Sequence, residues 1–224
     1  MRQGVRDWVE MVSNTLPILQ PVCEFGARQS QPVLSDLRPF FPSKQYVGCD
    51  TRQGPGVDVI VDLHDTGLAS ESVGTLLLLE TLEHVQYPFK AMEEIYRILK
   101  SDGIALLSSV MNYPIHDTHD YWRFTPEAFH TLLKGFPLSF VEFAGDPSFP
   151  PVVVGIGVKG GLQPETVDLL QSRLARWKLA WDEKAEASPS WGRTSNRTSN
   201  WKQTLKLLTP PLILKGYHRL RRIR

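Results

Sequence analysis

Residues 46–50 read Y-V-G-C-D, residues 61–65 V-D-L-H-D and residues 80–85 E-T-L-E-H-V, and each block sets an acidic residue directly behind a short apolar run. Apolar runs of this length, bounded by polar residues, are the pattern of strands buried on both faces in a parallel sheet. In an open parallel α/β sheet, the crevice beyond the carboxyl ends of the strands is where ligands bind. Asp50, Asp62 and Glu80 therefore fall where a ligand would be met. Two further blocks, I-L-K-S-D-G at 98–103 and H-D-Y-W-R-F-T-P at 119–126, complete the informative stretch.

Working outward, strands are predicted over 21–25, 45–50, 57–61 and 74–79, with a helix remnant over 34–40. A helix opens at Pro88, which suits a first turn. Phe89, Met92, Ile95, Tyr96 and Leu99 recur at helical spacing and are read as its buried stripe, with Asp102 and Gly103 ending it. The next strand is 104–110. Thr125, Pro126 and Glu127 form a helix start: a capping hydroxyl, a proline at the first position and an acid in the first turn. Residues 138–143 and 152–158 read as a late hairpin. Strands alternating with helices predict a doubly wound α/β domain within 1–163, then a surface helix over 164–187. Residues 188–224 remain as a polar linker, with R-T-S-N repeated in tandem, and a basic tail.

The net charge of +1 conceals a division: all 24 acidic residues lie at or before Glu186, against 16 of the 25 basic ones. The body is thus acidic and the last segment strongly basic. In 201–224, Lys and Arg are interleaved with Trp201, Leu205, Leu212, Ile213 and Tyr217. A solvated extension, a membrane- or partner-docking element and a nucleic-acid contact all remain open readings of it. Clustered bases beside apolar residues suit anionic lipid, and the acidic body disfavours a nucleic-acid acceptor. Cys23 and Cys49 fall inside strands without a C-x-x-C partner, so both are expected to be reduced core residues, as in a cytosolic protein. Asp7 and Glu10 interrupt what a signal peptide would need as an apolar run.

The chemistry-bearing residues follow the strand ends. Gly26 behind the first strand lets backbone approach a ligand closely, and Glu24 could order this loop or meet a ligand cation. Asp50 can accept both hydrogen bonds of a ribose diol. Asp62 can accept from the exocyclic amine of adenine, with Leu63 against the ring. Each acid also has the plainer reading of a turn or strand-end cap, but the pair is stronger than either member. Glu83 and His84 overhang the same edge, and a neutral histidine suits removal of a hydroxyl proton; a capping and ordering role in the loop is the plainer alternative. One loop holds His116, Asp117, His119, Asp120, Tyr121, Trp122 and Arg123. The H-D-x-H-D spacing lacks a separated third ligand, so no metal site is expected. The aromatic residues could plug the next helix with Arg123 in an ion pair, or pack on a sulfonium cation.

Taken together, V-C-E-F-G-A, Y-V-G-C-D, V-D-L-H-D, the L-E-H-V to L-K-S-D-G run and Y-W-R-F-T-P resemble the class I S-adenosylmethionine-dependent methyltransferases of the type 11 branch, over about residues 20–135. The resemblance implies a Rossmann-like seven-stranded sheet with the last strand antiparallel, followed here by a basic C-terminal extension. It implies S-adenosylmethionine as cofactor, with Glu24, Gly26 and Ala27 at its methionine and ribose side and Arg28 near its carboxylate. Asp50 would then bind the ribose, Asp62 and Leu63 the adenine, and Glu80 would form the cleft floor. His84 or His116 would be the base, and Asp120, Tyr121, Trp122 and Arg123 would face the acceptor. The family loop usually carries glycine where this chain has Arg28 and Ser30, which removes two points of easy backbone approach. The function expected is methyl transfer to an oxygen or nitrogen of a small-molecule, sugar or glycan-linked acceptor, in the cytoplasm or at the inner membrane face. A non-catalytic scaffold docking through the basic tail is the alternative. A nicotinamide oxidoreductase is disfavoured, because no G-x-G-x-x-G follows the first strand.

Overall fold

The computed structural model describes residues 1–29 and 35–187, with side chains through Asp182. Ser30, the start of the 34–40 segment, and the linker and tail at 188–224 lie outside the described residues. The elements in chain order are α1 (Gln3–Ser13), β1 (Val22–Phe25), β2 (Tyr46–Asp50), β3 (Val59–Ile60), β4 (Val73–Leu79), α2 (Pro88–Ile98), β5 (Leu99–Val110), α3 (Pro126–Leu132), β6 (Leu138–Ala144), β7 (Val152–Val158) and α4 (Pro164–Ala187). Single 3-10 turns occur at Arg38–Phe40 and Leu82–His84.

The strands form one sheet in the order β3-β2-β1-β4-β5-β7-β6. Pairing is parallel from β3 through β5, and β7 runs antiparallel to both β5 and β6. The last strand is therefore the antiparallel one, as the resemblance implied. Strand order reverses between β1 and β4, so the switch point of the sheet lies at their carboxyl ends.

Side chains alternate across the sheet with the two-residue period of a strand. Leu76 and Leu78 of β4 join one core with Ala91, Met92, Ile95 and Ile98 of α2 and Phe129 and Leu132 of α3. Leu77 and Leu79 join the other, with Val5, Trp8, Val9 and Val12 of α1 and Leu170, Leu174 and Trp177 of α4. The helix expected on the surface over 164–187 thus covers a face of the sheet. It is tied to α1, where Trp177 Nε1 donates to the Gly4 carbonyl at 2.8 Å and Arg173 to the Asn14 carbonyl at 2.9 Å. A Cβ on Gly4 would lie 2.0 Å from the Trp181 ring, so any larger residue there would force that ring to move.

Three local expectations are corrected. The α2 helix stops at Ile98, before Asp102 and Gly103, and Leu99 opens β5. The Lys159 ammonium donates to the carbonyls of Tyr96 and Leu99 at 2.9 and 2.8 Å, placing a cation on the helix's negative end. Phe89 is 60% exposed rather than part of the buried stripe, and Ala91 and Ile98 take its place. The third strand keeps only Val59 and Ile60 of the expected 57–61.

The start of α3 forms as expected: Thr125 Oγ1 accepts the Ala128 N–H at 3.1 Å, with Pro126 in the first turn. Thr125→Ala is expected to cost about 1 kcal/mol. In a thermal melt, that should lower the midpoint by roughly 2–4 °C. Cys23 and Cys49 are buried free thiols, pushed by burial up to about 11 and about 12 respectively. Among the described residues, no helix is long and apolar enough to cross a membrane.

Candidate active site

A cleft of about 590 Å³ opens at the switch point, beyond the carboxyl ends of β1, β2 and β4. Glu24, Gly26, Ala27, Arg28, Asp50, Asp62, Leu63, Glu80, His84 and His116 all line it, so ten positions singled out in the sequence converge on one cavity. Its volume lies in the range typical of small-molecule sites.

The floor is held by close backbone packing. Gly26 has φ +79°, and a Cβ there would lie 2.1 Å from Thr81 Oγ1, so the loops after β1 and β4 approach as only glycine allows. Glu80 adopts φ +47°, a left-handed conformation that costs a non-glycine residue on the order of 1–3 kcal/mol. Its N–H is anchored to the Ser108 carbonyl at 2.9 Å. Its carboxylate accepts from Arg2 Nη1 at 2.9 Å, and the Arg2 guanidinium lies 4.6 Å from the Tyr113 ring centre. Arg2 thereby spans the cleft between the β4 and β5 loops, a contact that sequence reading did not foresee.

The acids are not equivalent. Glu24 is buried, and desolvation pushes its carboxyl up to about 7 despite the hydrogen bond from the Tyr46 hydroxyl at 2.6 Å. The same burial, with Glu24 alongside, raises Tyr46, which stays a neutral donor. Asp50 orders the two loops around it: Oδ2 accepts the Arg28 N–H at 3.2 Å and Oδ1 the Arg52 N–H at 2.9 Å. Arg28, where the family loop usually has glycine, thus gives its N–H to Asp50. Asp62 is exposed, and the backbone N–H of His64 holds its carboxyl below the usual range. Asp62 Oδ1 also takes His64 Nδ1 at 2.8 Å, and His64 Nε2 accepts the Tyr87 N–H at 3.2 Å. Both nitrogens of His64 are thus spent on structure, which leaves Oδ2 of Asp62 for a ligand.

Elsewhere in the lining, His84 Nδ1 lies 2.8 Å from the His119 carbonyl, and His116 Nδ1 lies 2.9 Å from Asp120 Oδ2. Both partners only accept, so Nδ1 carries the hydrogen and Nε2 keeps its lone pair in each neutral ring. The rings meet edge to face with centroids 4.9 Å apart. Glu83, between them and the core, is 1% exposed. One of its oxygens accepts from Ser109 Oγ at 2.7 Å. Desolvation raises its carboxyl above the usual range. Glu83 stands over the cleft beside His84, as the L-E-H-V block led one to expect. Ser109 was missed, and nothing in the sequence marked it.

Asp120, Tyr121, Trp122 and Arg123, which the resemblance sets toward an acceptor, are not among the residues that line this cleft. The Asp120 carboxylate is fully buried between His116 and Arg123. The Arg123 guanidinium holds it well below the usual carboxylate range. Arg123 also donates to the carbonyls of Tyr113 and Pro114 at 3.0 Å each, and Trp122 Nε1 donates to Val85 O at 3.0 Å. These groups brace the loop that presents His116.

A family model described as "Methyltransferase domain" matches residues 37–107, from the segment before β2 into β5. The chain carries a class I methyltransferase domain. S-adenosylmethionine is the cofactor of this methyltransferase, and the cleft fits it: a buried carboxylate, a glycine cradle and two strand-end acids line a cavity of suitable size. The matched residues include Asp50, Asp62, Leu63, Glu80 and His84 but neither the β1 loop nor His116.

Solved structures agree on the fold. A SAM-dependent methyltransferase of Thermotoga maritima is 20% identical, with 70% of this chain and 89% of that one covered and a TM-score of 0.52. One from Archaeoglobus fulgidus is 13% identical over 71% and 95%, with a TM-score of 0.55. The 1,6-didemethyltoxoflavin-N1-methyltransferase of Burkholderia thailandensis is 14% identical over 71% and 79%, with a TM-score of 0.56. No curated protein matches the chain.

Proposed function

We propose that this methyltransferase passes its methyl group to an oxygen or nitrogen of a small-molecule acceptor, a sugar or glycan-linked one included, held at the His84 and His116 end of the cleft. The observation that carries this reading is the polarity of the cavity. Carboxylates at the ends of β1 and β2 and after β3 line one part of it, and two histidines with free Nε2 lone pairs line another.

S-adenosylmethionine supplies a methyl group on positively charged sulfur. Glu24 offers a buried carboxylate to a cationic group, Asp50 accepts from the ribose hydroxyls, and Asp62 with Leu63 receives the adenine. His84 Nε2 or His116 Nε2 takes the proton of a hydroxyl acceptor; an amine acceptor needs no base before transfer. Orientation of the two reactants supplies most of the acceleration, roughly 7–11 kcal/mol where alignment is good. A small acceptor is in keeping with the Burkholderia thailandensis structure, which contains 1,6-didemethyltoxoflavin and S-adenosylhomocysteine.

The reading includes a cytosolic setting, supported by the two unpaired buried thiols, and contact of the basic 201–224 segment with an anionic membrane surface, supported by its composition. The test is calorimetric titration of the full chain with S-adenosylmethionine, followed by release of S-adenosylhomocysteine across hydroxyl and amine acceptors. Micromolar cofactor binding with turnover on one acceptor class is expected. Cofactor binding without turnover on any small acceptor would point to a macromolecular substrate or a scaffold.

A further inference from the structure

We propose that Glu83, His84 and His116 form a binding site for a divalent first-row transition ion of the Zn²⁺ type, set in the wall of the cleft. One carboxylate oxygen of Glu83 and one ring nitrogen from each histidine all lie within 4.8 Å of one another. The residues come from the loops after β4 and β5, 32 positions apart at their closest, which is why the H-D-x-H-D spacing alone indicated no site.

Three observations converge on a cation. First, Glu83 is 1% exposed and its Oε1 has no hydrogen-bond partner, whereas Oε2 is held by Ser109 Oγ at 2.7 Å. A buried carboxylate oxygen left unpartnered is costly unless something electropositive meets it. Second, each histidine has one ring nitrogen hydrogen-bonded and the other left with its lone pair, the state of a metal-ligating imidazole. His84 Nδ1 is bound to the His119 carbonyl and His116 Nδ1 to the Asp120 carboxylate, so each Nε2 offers its lone pair. Third, the Asp120 to His116 contact is the carboxylate–histidine arrangement that orients metal-ligating imidazoles and raises their basicity. Arg123 fixes Asp120 in turn, so the supporting layer stands in place without the ion.

Two imidazoles and one carboxylate suit Zn²⁺, Co²⁺ or Fe²⁺ over the hard, oxygen-seeking Ca²⁺ and Mg²⁺. Donors about 2.0–2.1 Å from a tetrahedral ion sit roughly 3.4 Å apart, so binding draws the three groups inward. His116 is exposed on its loop and can supply that movement. Three protein ligands leave a position open toward the cleft, where an acceptor oxygen or nitrogen can bind. The ion site does not depend on the transfer reading; only this consequence does. With an ion bound, the two Nε2 atoms act as ligands and no longer as proton acceptors.

The test is titration of the full-length, chelator-treated protein with Co²⁺ alone, followed by visible d–d absorption, with Zn²⁺ added to displace it. One equivalent per chain is expected, with an intense tetrahedral-type spectrum. His116→Ala and Glu83→Gln should each weaken binding at least tenfold, while His130→Ala on α3 leaves it unchanged. His116 is at the surface, so its variant should fold as the parent does, and circular dichroism checks this. No stoichiometric binding, or equal binding in His116→Ala, would overturn the site. Because no cofactor is present in the titration, failure here is separate from failure of S-adenosylmethionine binding.

Discussion

Replacing Asp50 with alanine is expected to weaken S-adenosylmethionine binding about 100-fold or more. A carboxylate has about four lone-pair sites. Asp50 uses one on each oxygen for the Arg28 and Arg52 N–H groups, which leaves acceptor capacity directed from the end of β2 into the cleft. A ribose diol fills that capacity with two hydrogen bonds to a charged group, each worth about 1.5–3 kcal/mol. A loss of about 3 kcal/mol is already a factor above 100 in Kd. Asp50→Asn keeps the shape and one acceptor oxygen, and should fall between the two. The measurement is calorimetric titration at constant pH, with the melting midpoint of each variant recorded. An Asp50→Ala affinity within threefold of the parent would remove the ribose assignment.

Glu24→Gln should act on affinity and stability in opposite directions. Burial lifts this carboxyl to about 7, from an ordinary value near 4.5. If the ionised form meets a cationic group of the cofactor, protons compete with binding. Kd should then rise as pH falls, by about tenfold between pH 8 and pH 6 for a group titrating at about 7. Glu24→Gln loses the charge, should bind about 30-fold or more weakly at pH 8, and should show no such pH dependence.

The stability effect has the reverse sign. Between the unfolded value near 4.5 and about 7, the native state holds more proton than the unfolded chain. Native stability therefore declines as pH rises through that window. The loss is on the order of 3–4 kcal/mol, at about 1.4 kcal/mol per pH unit. Glutamine still accepts from the Tyr46 hydroxyl without a charge to desolvate, so the variant should melt higher than the parent at pH 8. A lower melting point at pH 8 together with unchanged affinity would argue against both halves. The carboxylate is costly to the empty fold, as expected of a group retained for a ligand.

The strand-end acids were legible because the chemistry sits beside the signal: a buried strand is a short apolar run, and the residue behind it is at the sheet's carboxyl edge. Thr125 was legible for the same local reason. The α1 helix went unassigned although Val5, Trp8, Val9 and Val12 keep helical spacing, and with it the role of Arg2 in the cleft. Phe89 was placed inside by periodicity alone, but a stripe does not say where the helix meets its neighbours, and in the first turn Pro88 and Ala91 are buried while Phe89 faces solvent. Asp120 through Arg123 were set toward an acceptor by the resemblance, while their residue types alone also allowed a plug with Arg123 in an ion pair. The fold supplies the partners: Arg123 pairs with Asp120 and donates to the Tyr113 and Pro114 carbonyls, and Trp122 donates to the Val85 carbonyl. The meeting of Glu83, His84 and His116 depends on two loops brought together by adjacent strands, information that no local spacing carries.

The two cysteines of this chain sit on adjacent strands at the cofactor edge of the sheet, Cys23 on β1 and Cys49 on β2. Only a thiolate reacts with alkylating reagents, and burial suppresses both its formation and its access. The native protein is therefore closed to such reagents, and the rate of modification becomes a clock for the opening of these two strands. A ligand seated across the ends of β1 and β2 must slow that clock in proportion to its occupancy. The chain thus carries an intrinsic reporter of cofactor binding, readable by mass without knowledge of the acceptor.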